Sequence, residues 1–499
     1  MLSERAALYR GLLRELRRSL KPPRKVNRDI IAQFRSITET VGKESNASAQ
    51  RDLENAVLFI RSQREHKQLL ERYNPLFDLT AEERIKATAR RVGLDMPVTH
   101  LASQVLKCDP STITFSPSSD EPQITCDETR NALSLASRHL VDLQQTVVFP
   151  TETVYGLGAL ALNATAAAKI FSTKGRPPDN PLIVHISSLS MLRPLTPRGY
   201  VIPKACEALM KHFWPGPLTL LFPRNENIPD IITAGQSTVA VRMPSHPVAR
   251  ALIATANAPL AAPSANTSGK PSPTRAEHVY RDLNGKVGLI LDGGACAVGL
   301  ESTVVDALHS DGHIRVLRPG GITVEDLERV LSEEMSGAAE IPKVLVHKRD
   351  FADEALENAP TTPGMKYRHY SPSVPVVLVL TLPSSSGNFS TTNLSAHISK
   401  FRQETPVEGD LRIGVLAPSD SKLWETLQSV EGVIWSRRPL GPMADPALMA
   451  HNLFDGLLHL EKEGVHLILI EEVEEDREGL AIMNRVRKAA SDSIRISMG

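Results

Sequence analysis

The spacing of apolar positions changes character three times along this chain. Leu8, Leu12, Leu13, Leu16 and Leu20 recur at helical spacing with arginines opposite, so residues 3–20 predict an amphipathic helix that Pro22-Pro23 ends. Similar patterns cover about 27–42, 50–72 and 80–91, giving an all-α module over residues 1–100. Residues 101–127 read as a linker, because 109–125 are rich in serine and proline.

From 128 the pattern mixes periods. An amphipathic helix is predicted over 128–143 and a short strand at Thr146–Phe149. Strand-like runs follow at Pro181–Ile186, Leu218–Phe222, Thr238–Arg242, Gly288–Asp292, Ser302–Asp306 and Ile314–Arg318, defining an α/β domain over 128–335. An irregular stretch, 336–373, reads as a second linker. Beyond 374, the apolar runs Val376–Leu380, Arg412–Leu416, Gly432–Trp435 and His466–Ile470 alternate with helical patterns near 420–429, 446–463 and 479–491. That alternation predicts a doubly wound parallel sheet, with 383–395 a flexible insertion.

Charge adds an asymmetry. The whole chain is neutral, yet residues 1–100 carry 20 basic and 13 acidic side chains, a net +7, so the remainder is net −7. The N-terminal module suits an acidic or nucleic-acid partner, or simply a solvated helical face. Four scattered cysteines without a Cys-X-X-Cys indicate neither a zinc site nor a disulfide framework, and fit a reducing compartment. No apolar run approaches the ~20 residues that span a bilayer.

Candidate chemistry concentrates in the middle. Lys174-Gly175-Arg176-Pro177-Pro178 places two cations one residue apart, able to reach one polyanion together if the backbone is extended. Ser264-Ala265-Asn266 offers a hydroxyl and an amide at the same spacing. Thr151, Thr153 and Tyr155 alternate at the end of the first strand, His185 lies on an apolar strand, and Arg242 and Arg318 end two others. The glycine-rich turn Leu291–Gly294 and the Glu301-Ser302-Thr303 segment offer amides and hydroxyls for an anion. No Walker A pattern and no metal-ligand spacing occurs. Cations, hydroxyls and amides suit transfer at a phosphoryl centre, where positioning and charge neutralisation do most of the work.

These segments resemble a known family. PTETVYGLG (150–158), KGRPPDNPLIVHI (174–186), FWPGPLTLL (213–221), VAVRMPSHPVA (239–249), APSANTSG (262–269), ESTVVD (301–306) and LRPG (317–320) are similar to the YrdC/Sua5 family. PGMKYRHYSP (363–372) and the tail to 499 resemble its long, Sua5 form. The resemblance implies a YrdC-like domain with a twisted mixed sheet. It implies synthesis of L-threonylcarbamoyladenylate and pyrophosphate from L-threonine, bicarbonate and ATP, supplying a transferase that modifies the adenosine beside a tRNA anticodon. Lys174 and Arg176 would be catalytic. With Ser264, Asn266, Arg242 and Arg318 they would bind the nucleotide, whose phosphates would carry any Mg²⁺. Thr151, Thr153, Tyr155, Arg176, His185 and Ser302 would line the threonine pocket. Tyr367, Arg368, His369 and Tyr370 would form a lid.

Ala7-Leu8-Tyr9-Arg10 with Glu71–Pro75 and Val92–Pro97 resembles the LYR-motif proteins, in particular Fmc1-like assembly factors of mitochondrial ATP synthase. That resemblance implies an acyl-carrier protein or an ATP synthase assembly intermediate as partner. The expected compartment is the cytoplasm, with the mitochondrion as the alternative. Competing readings are an RNA-binding protein, which the acidic balance of 101–499 disfavours, an assembly chaperone working through the first module, and a carbamoyltransferase-type maturation enzyme. The last would be expected to carry cysteine-rich zinc motifs, which are missing here.

Overall fold

A computed structural model describes residues 102–116, 119–337, 340–351, 361, 369–381, 394–405, 409–427 and 430–496, together with 14, 51 and 55–66. The chain forms two compact units, Met1–Thr99 and His100–Gly499. In the first, residues 55–66 are helical, within the predicted 50–72 helix. Of the other predicted helices of that module, only Arg14 of the 3–20 helix is described, and it is helical; Tyr367 and Arg368 lie outside the described residues.

The second unit holds two large sheets. The first has eleven strands in the spatial order Gln104–Lys107, Leu289–Asp292, Val147–Phe149, Gly156–Leu160, Leu260–Ala261, Ile183–His185, Thr238–Arg242, Leu218–Pro223, Thr303–Asp306, Ile314–Arg318 and Val344–Val346. Parallel and antiparallel neighbours mix: Ile183–His185 runs parallel to Thr238–Arg242, which runs antiparallel to Leu218–Pro223. Helix Asp127–Val141 shows why the amphipathic pattern was readable. Ala132, Leu133, Ala136 and Leu140 are buried on one stripe, Asp127 and Glu128 sit in the positive first turn, and Arg138 and His139 in the last. That stripe packs in one apolar cluster with helix Pro247–Ala256.

Two expectations about linkers are corrected. Residues 101–127 are not a linker: Gln104–Lys107 pairs with Leu289–Asp292 at the sheet edge, and Ile113–Phe115 forms a hairpin with Pro122–Ile124. Within 336–373, Val344–Val346 extends the opposite edge beside Ile314–Arg318. Both edge strands are only three or four residues long, and Val344 and Val346 of the second bury in the core of the mixed sheet.

The second sheet is fully parallel, in the order Val433–Pro439, Leu411–Ala417, Leu467–Glu471, Val376–Leu380 and Asp492–Arg495. Alternate residues face opposite sides. Val376, Leu378, Ile468 and Ile470 pack with helices Pro446–Lys462 and Gly479–Ala489. Val377, Val379, Leu467 and Leu469 pack with Leu394–Glu404 and Leu423–Leu427. Both faces are covered, so the doubly wound expectation holds. The proposed insertion at 383–395 lies almost wholly outside the described residues.

The two sheets meet through the last helices. Val154, Leu300 and Tyr370 join the apolar cluster of the parallel sheet, and Leu480 joins the core of the mixed one. Arg275–Asp455 (2.8 Å) and Lys462–Glu277 (2.7 Å) rim this contact.

Candidate active site

The register of the mixed sheet builds the site. His185 pairs with Arg242, Arg242 with Thr219, Thr219 with Val304, and Val304 with Arg318. One row across five strands thus carries an imidazole, two guanidiniums and a hydroxyl, above a small apolar floor that includes Ile183, Leu221, Ala240 and Val304. A cleft opens over this row, lined by charged and hydroxyl side chains.

Lys174 and Arg176 enter from one side, though not as an extended loop. Lys174 is the last residue of helix Ala164–Lys174, and Gly175 closes the helix in the left-handed conformation (φ 63°). Glycine adopts that conformation without the Cβ penalty, which explains its place between the two cations. The Lys174 ammonium donates to the carbonyls of Ser264 and Asn266 and lies 3.4 Å from Asn266 Oδ1. Arg176 donates to the carbonyls of Asn180 (3.2 Å) and Pro181 (2.8 Å). The two motifs, ninety residues apart in sequence, are therefore one cluster.

The hydroxyls form a second group. Thr151 Oγ1 and Thr153 Oγ1 are 2.7 Å apart, and Arg242 donates to Thr153 Oγ1 (2.8 Å) and Glu152 Oε1 (2.6 Å). Ser302 Oγ lies 2.7 Å from Thr219 Oγ1, and Arg318 donates to the Ser302 carbonyl (2.9 Å). The Pro319-Gly320 turn approaches so closely that a Cβ on Gly320 would stand 2.3 Å from the Glu301 carbonyl oxygen. Only glycine fits there.

Burial dominates the electrostatics. It pushes Lys174 well below the ordinary lysine value, with Arg176 adding repulsion and Asp282 and Glu301 opposing it. It depresses Arg176 to about 9, with Arg318 contributing. His185 falls to about 3 through burial and the nearby Arg242 cation, so it is neutral at physiological pH. His369 falls to about 4, through burial and then Arg176. Arg318 is lowered by burial as well. A cleft that confines Lys174, Arg176, Arg242 and Arg318 together is prepared for a polyanion.

Of the residues picked from sequence, Thr151, Thr153, Lys174, Arg176, His185, Arg242, Ser264, Asn266, Ser302, Arg318, His369 and Tyr370 line this cleft. Tyr155 does not. Its ring is buried in the core, and its hydroxyl donates to the Gly294 carbonyl (2.7 Å). The backbone turns between Thr151 and Val154, whose carbonyl accepts from Thr151 Oγ1 (2.7 Å), so strand alternation does not extend to Tyr155. The Leu291–Gly294 turn serves this tyrosine and does not line the cleft.

Sequence reasoning missed three contributors. Glu301, inside a quoted motif, lines the cleft and accepts from Ser272 Oγ (2.6 Å). Glu152 pairs with Arg242. Arg485, from the parallel-sheet domain, reaches Glu301 Oε2 at 3.1 Å. Its one signal was a cation on the apolar stripe of helix Gly479–Ala489, beside Ile482 and Val486.

Comparison with known proteins fits this geometry. Residues 139–320 match the Sua5/YciO/YrdC family model, described as telomere recombination. Residues 322–491 match the threonylcarbamoyl-AMP synthase C-terminal domain, and residues 6–95 match a Complex1_LYR-like model. The threonylcarbamoyl-AMP synthase of Schizosaccharomyces pombe is 45% identical over 73% of this chain and 89% of its own length. That of Pyrococcus abyssi is 42% identical over 69% of this chain and 90% of its own. The crystal structure of P. abyssi Sua5 complexed with L-threonine matches with a TM-score of 0.60 and 38% identity, covering 80% of this chain and 100% of that one. From its 139–491 region, the chain belongs to the Sua5/YrdC family of threonylcarbamoyl-AMP synthases, with a Complex1_LYR-like segment ahead of it.

Proposed function

We propose that the cleft makes L-threonylcarbamoyladenylate from L-threonine, bicarbonate and ATP. The observation that carries this reading is the convergence of buried Lys174, Arg176, Arg242 and Arg318 with the Thr151, Thr153 and Ser302 hydroxyls in one cleft. Set against Glu152 and Glu301, these four basic side chains together with Arg485 leave a positive excess, which the phosphates of a nucleoside triphosphate match in sign.

Lys174, Arg176, Ser264 and Asn266 hold the phosphates, and Arg242 and Arg318 flank the nascent adenylate. Thr151, Thr153, Ser302 and neutral His185 orient threonine, with Arg176 near its carboxylate. The nitrogen of the neutral threonine amine bonds to the carbon of CO₂, which bicarbonate supplies with release of water, and the amine gives a proton to solvent to leave a carbamate. A carbamate oxygen then bonds to the α-phosphorus while the bond from that phosphorus to the β-phosphate oxygen breaks, and pyrophosphate leaves. The cations offset charge developing on the phosphoryl oxygens. The donor set of hydroxyls, amides and one carboxylate already engaged by Arg485 suits Mg²⁺ carried by the phosphates and water rather than by a protein cage.

His369 and Tyr370 cover the cleft from the segment joining the two domains, and Ser371 N donates to the Gly269 carbonyl (2.8 Å). They act as the described part of a lid. The product supplies a transferase that modifies tRNA beside the anticodon, for which the cytoplasm is the proposed compartment and the mitochondrion the alternative. The basic module at 1–100 suits an acidic partner, such as an acyl-carrier protein or an ATP synthase assembly intermediate. Threonine-dependent pyrophosphate release by the full chain in bicarbonate buffer tests the reading. Release without threonine dependence, from folded protein, would discard it.

A further inference from the structure

Arg485 is among the largest fully buried side chains described, at 1% exposure. It belongs to helix Gly479–Ala489 of the parallel-sheet domain, yet its guanidinium is spent on the other domain. Nε and Nη2 lie 3.2 and 3.1 Å from Glu301 Oε2, and Nη1 donates to the Pro319 carbonyl. Its plane sits 5.8 Å from the Tyr370 ring. Glu301 adjoins Ser302, which lines the cleft, and Pro319 adjoins Arg318, which ends its row. One guanidinium therefore ties together both strand ends on which the cleft's far wall stands.

An isolated arginine and glutamate would be an expensive way to glue two domains. The contact already has an apolar cluster and rim ion pairs, so docking alone does not call for it. Glu301 faces the cleft, which a purely adhesive pair would not. We infer that Arg485 is a positioning residue for adenylate synthesis: it holds Glu301 as an oriented carboxylate in the cleft, so the C-terminal domain completes the active site. This rests on the synthase reading above.

Glu301 is faced by Arg485, Arg318, Lys174, Lys488, His369 and Tyr370. Burial works against its ionisation. Arg485 and then Arg318, with the Ser272 hydroxyl, outweigh burial and hold Glu301 below the ordinary carboxylate range. In turn, ionised Glu301 favours the charged form of Lys174 and Arg318. Removing Arg485 leaves a buried carboxylate without its main partner, and its proton affinity rises.

The test is the pH profile of kcat/KM for threonine-dependent pyrophosphate release by full-length wild type, Arg485→Lys, Arg485→Met and Glu301→Gln. Wild-type turnover checks the synthase reading independently. The expected result is that Arg485→Met loses at least tenfold in kcat/KM, and its acidic limb moves up by one pH unit or more. Arg485→Lys, which keeps the charge without the fork, should move the limb less. Placing Arg485→Met on a Glu301→Gln background should move no limb, because the titrating group is gone. Folded Arg485→Met with a wild-type profile shape, or the same limb shift on the Glu301→Gln background, overturns the inference. Should Arg485→Met fail to fold, Arg485→Lys against Glu301→Gln decides by the same criterion.

Discussion

The two sheets of the second unit solve opposite problems. In the parallel sheet, Val376–Leu380 and residues 467–470 are apolar on both faces, helices cover both, and Glu471 is the buried acid that ends the second of these strands. In the mixed sheet, the strands facing the cleft finish on polar residues: His185, Arg242 and Arg318. Those residues are buried as deeply as the valines and leucines beside them. The first arrangement gains stability from apolar burial, the second concentrates like charge whose excess a ligand offsets. Function follows the sheet whose interior is electrostatically incomplete.

Substitutions should therefore separate the two regions. The largest effect on catalysis is expected from Lys174→Ala or Arg318→Ala, which should lower kcat/KM about 10²–10³-fold, the scale of losing one preorganised charge at a reacting centre. Steady-state pyrophosphate release with circular dichroism as the folding control checks it. Next, Leu469→Ala in the parallel sheet should cost about 2–5 kcal/mol of stability through a cavity. Below its lowered melting temperature its kcat should stay near wild type, and a large kcat loss there would blur the division.

Thr153→Val removes the hydroxyl that accepts from Arg242. It should raise KM for threonine about tenfold while changing KM for ATP little, in line with the loss of about one charge-assisted hydrogen bond. The smallest effect is expected at the rim. Arg275→Ala breaks a pair with Asp455 that is about half exposed on the arginine side. It should change stability by about 0–1 kcal/mol and leave turnover unchanged.

A pH experiment sharpens the contrast further. The folded values of His185, about 3, and of His278 and His369, about 4, lie below the ordinary histidine value of 6.5. Burial is the leading cause for each. The unfolded chain then binds more protons as pH falls below about 6.5, so the stability these residues contribute is full above that value and declines toward pH 3–4. Melting temperature measured from pH 8 to 4 should fall, and His185→Phe should flatten part of the decline.

Legibility from sequence followed the same division. The parallel sheet was readable because alternation of apolar strands and amphipathic helices is a local pattern. The cleft was readable where polar residues interrupt strands, as at Arg242 and Arg318, and where short motifs carry chemistry, as at Lys174 and Asn266. Tyr155 misled because alternation assumes an extended backbone, and the chain turns at Thr151–Val154. The edge strands Gln104–Lys107 and Val344–Val346 were missed because runs of four and three residues are too short to show a period. Arg485 was missed because its partner lies 184 residues away in sequence. No local pattern encodes that contact.

In the proposed reaction the cation-lined cleft joins a carbamoyl carbon to threonine before the α-phosphorus is attacked. Incubating the full chain with ATP, threonine and ¹³C-bicarbonate, and weighing the adenylate by mass spectrometry, tests this most directly. The account predicts a threonine adenylate one carbon label heavier than its unlabelled counterpart, and none from Lys174→Ala. An adenylate of threonine lacking the label, or no threonine-dependent nucleotide product from folded protein, would contradict it.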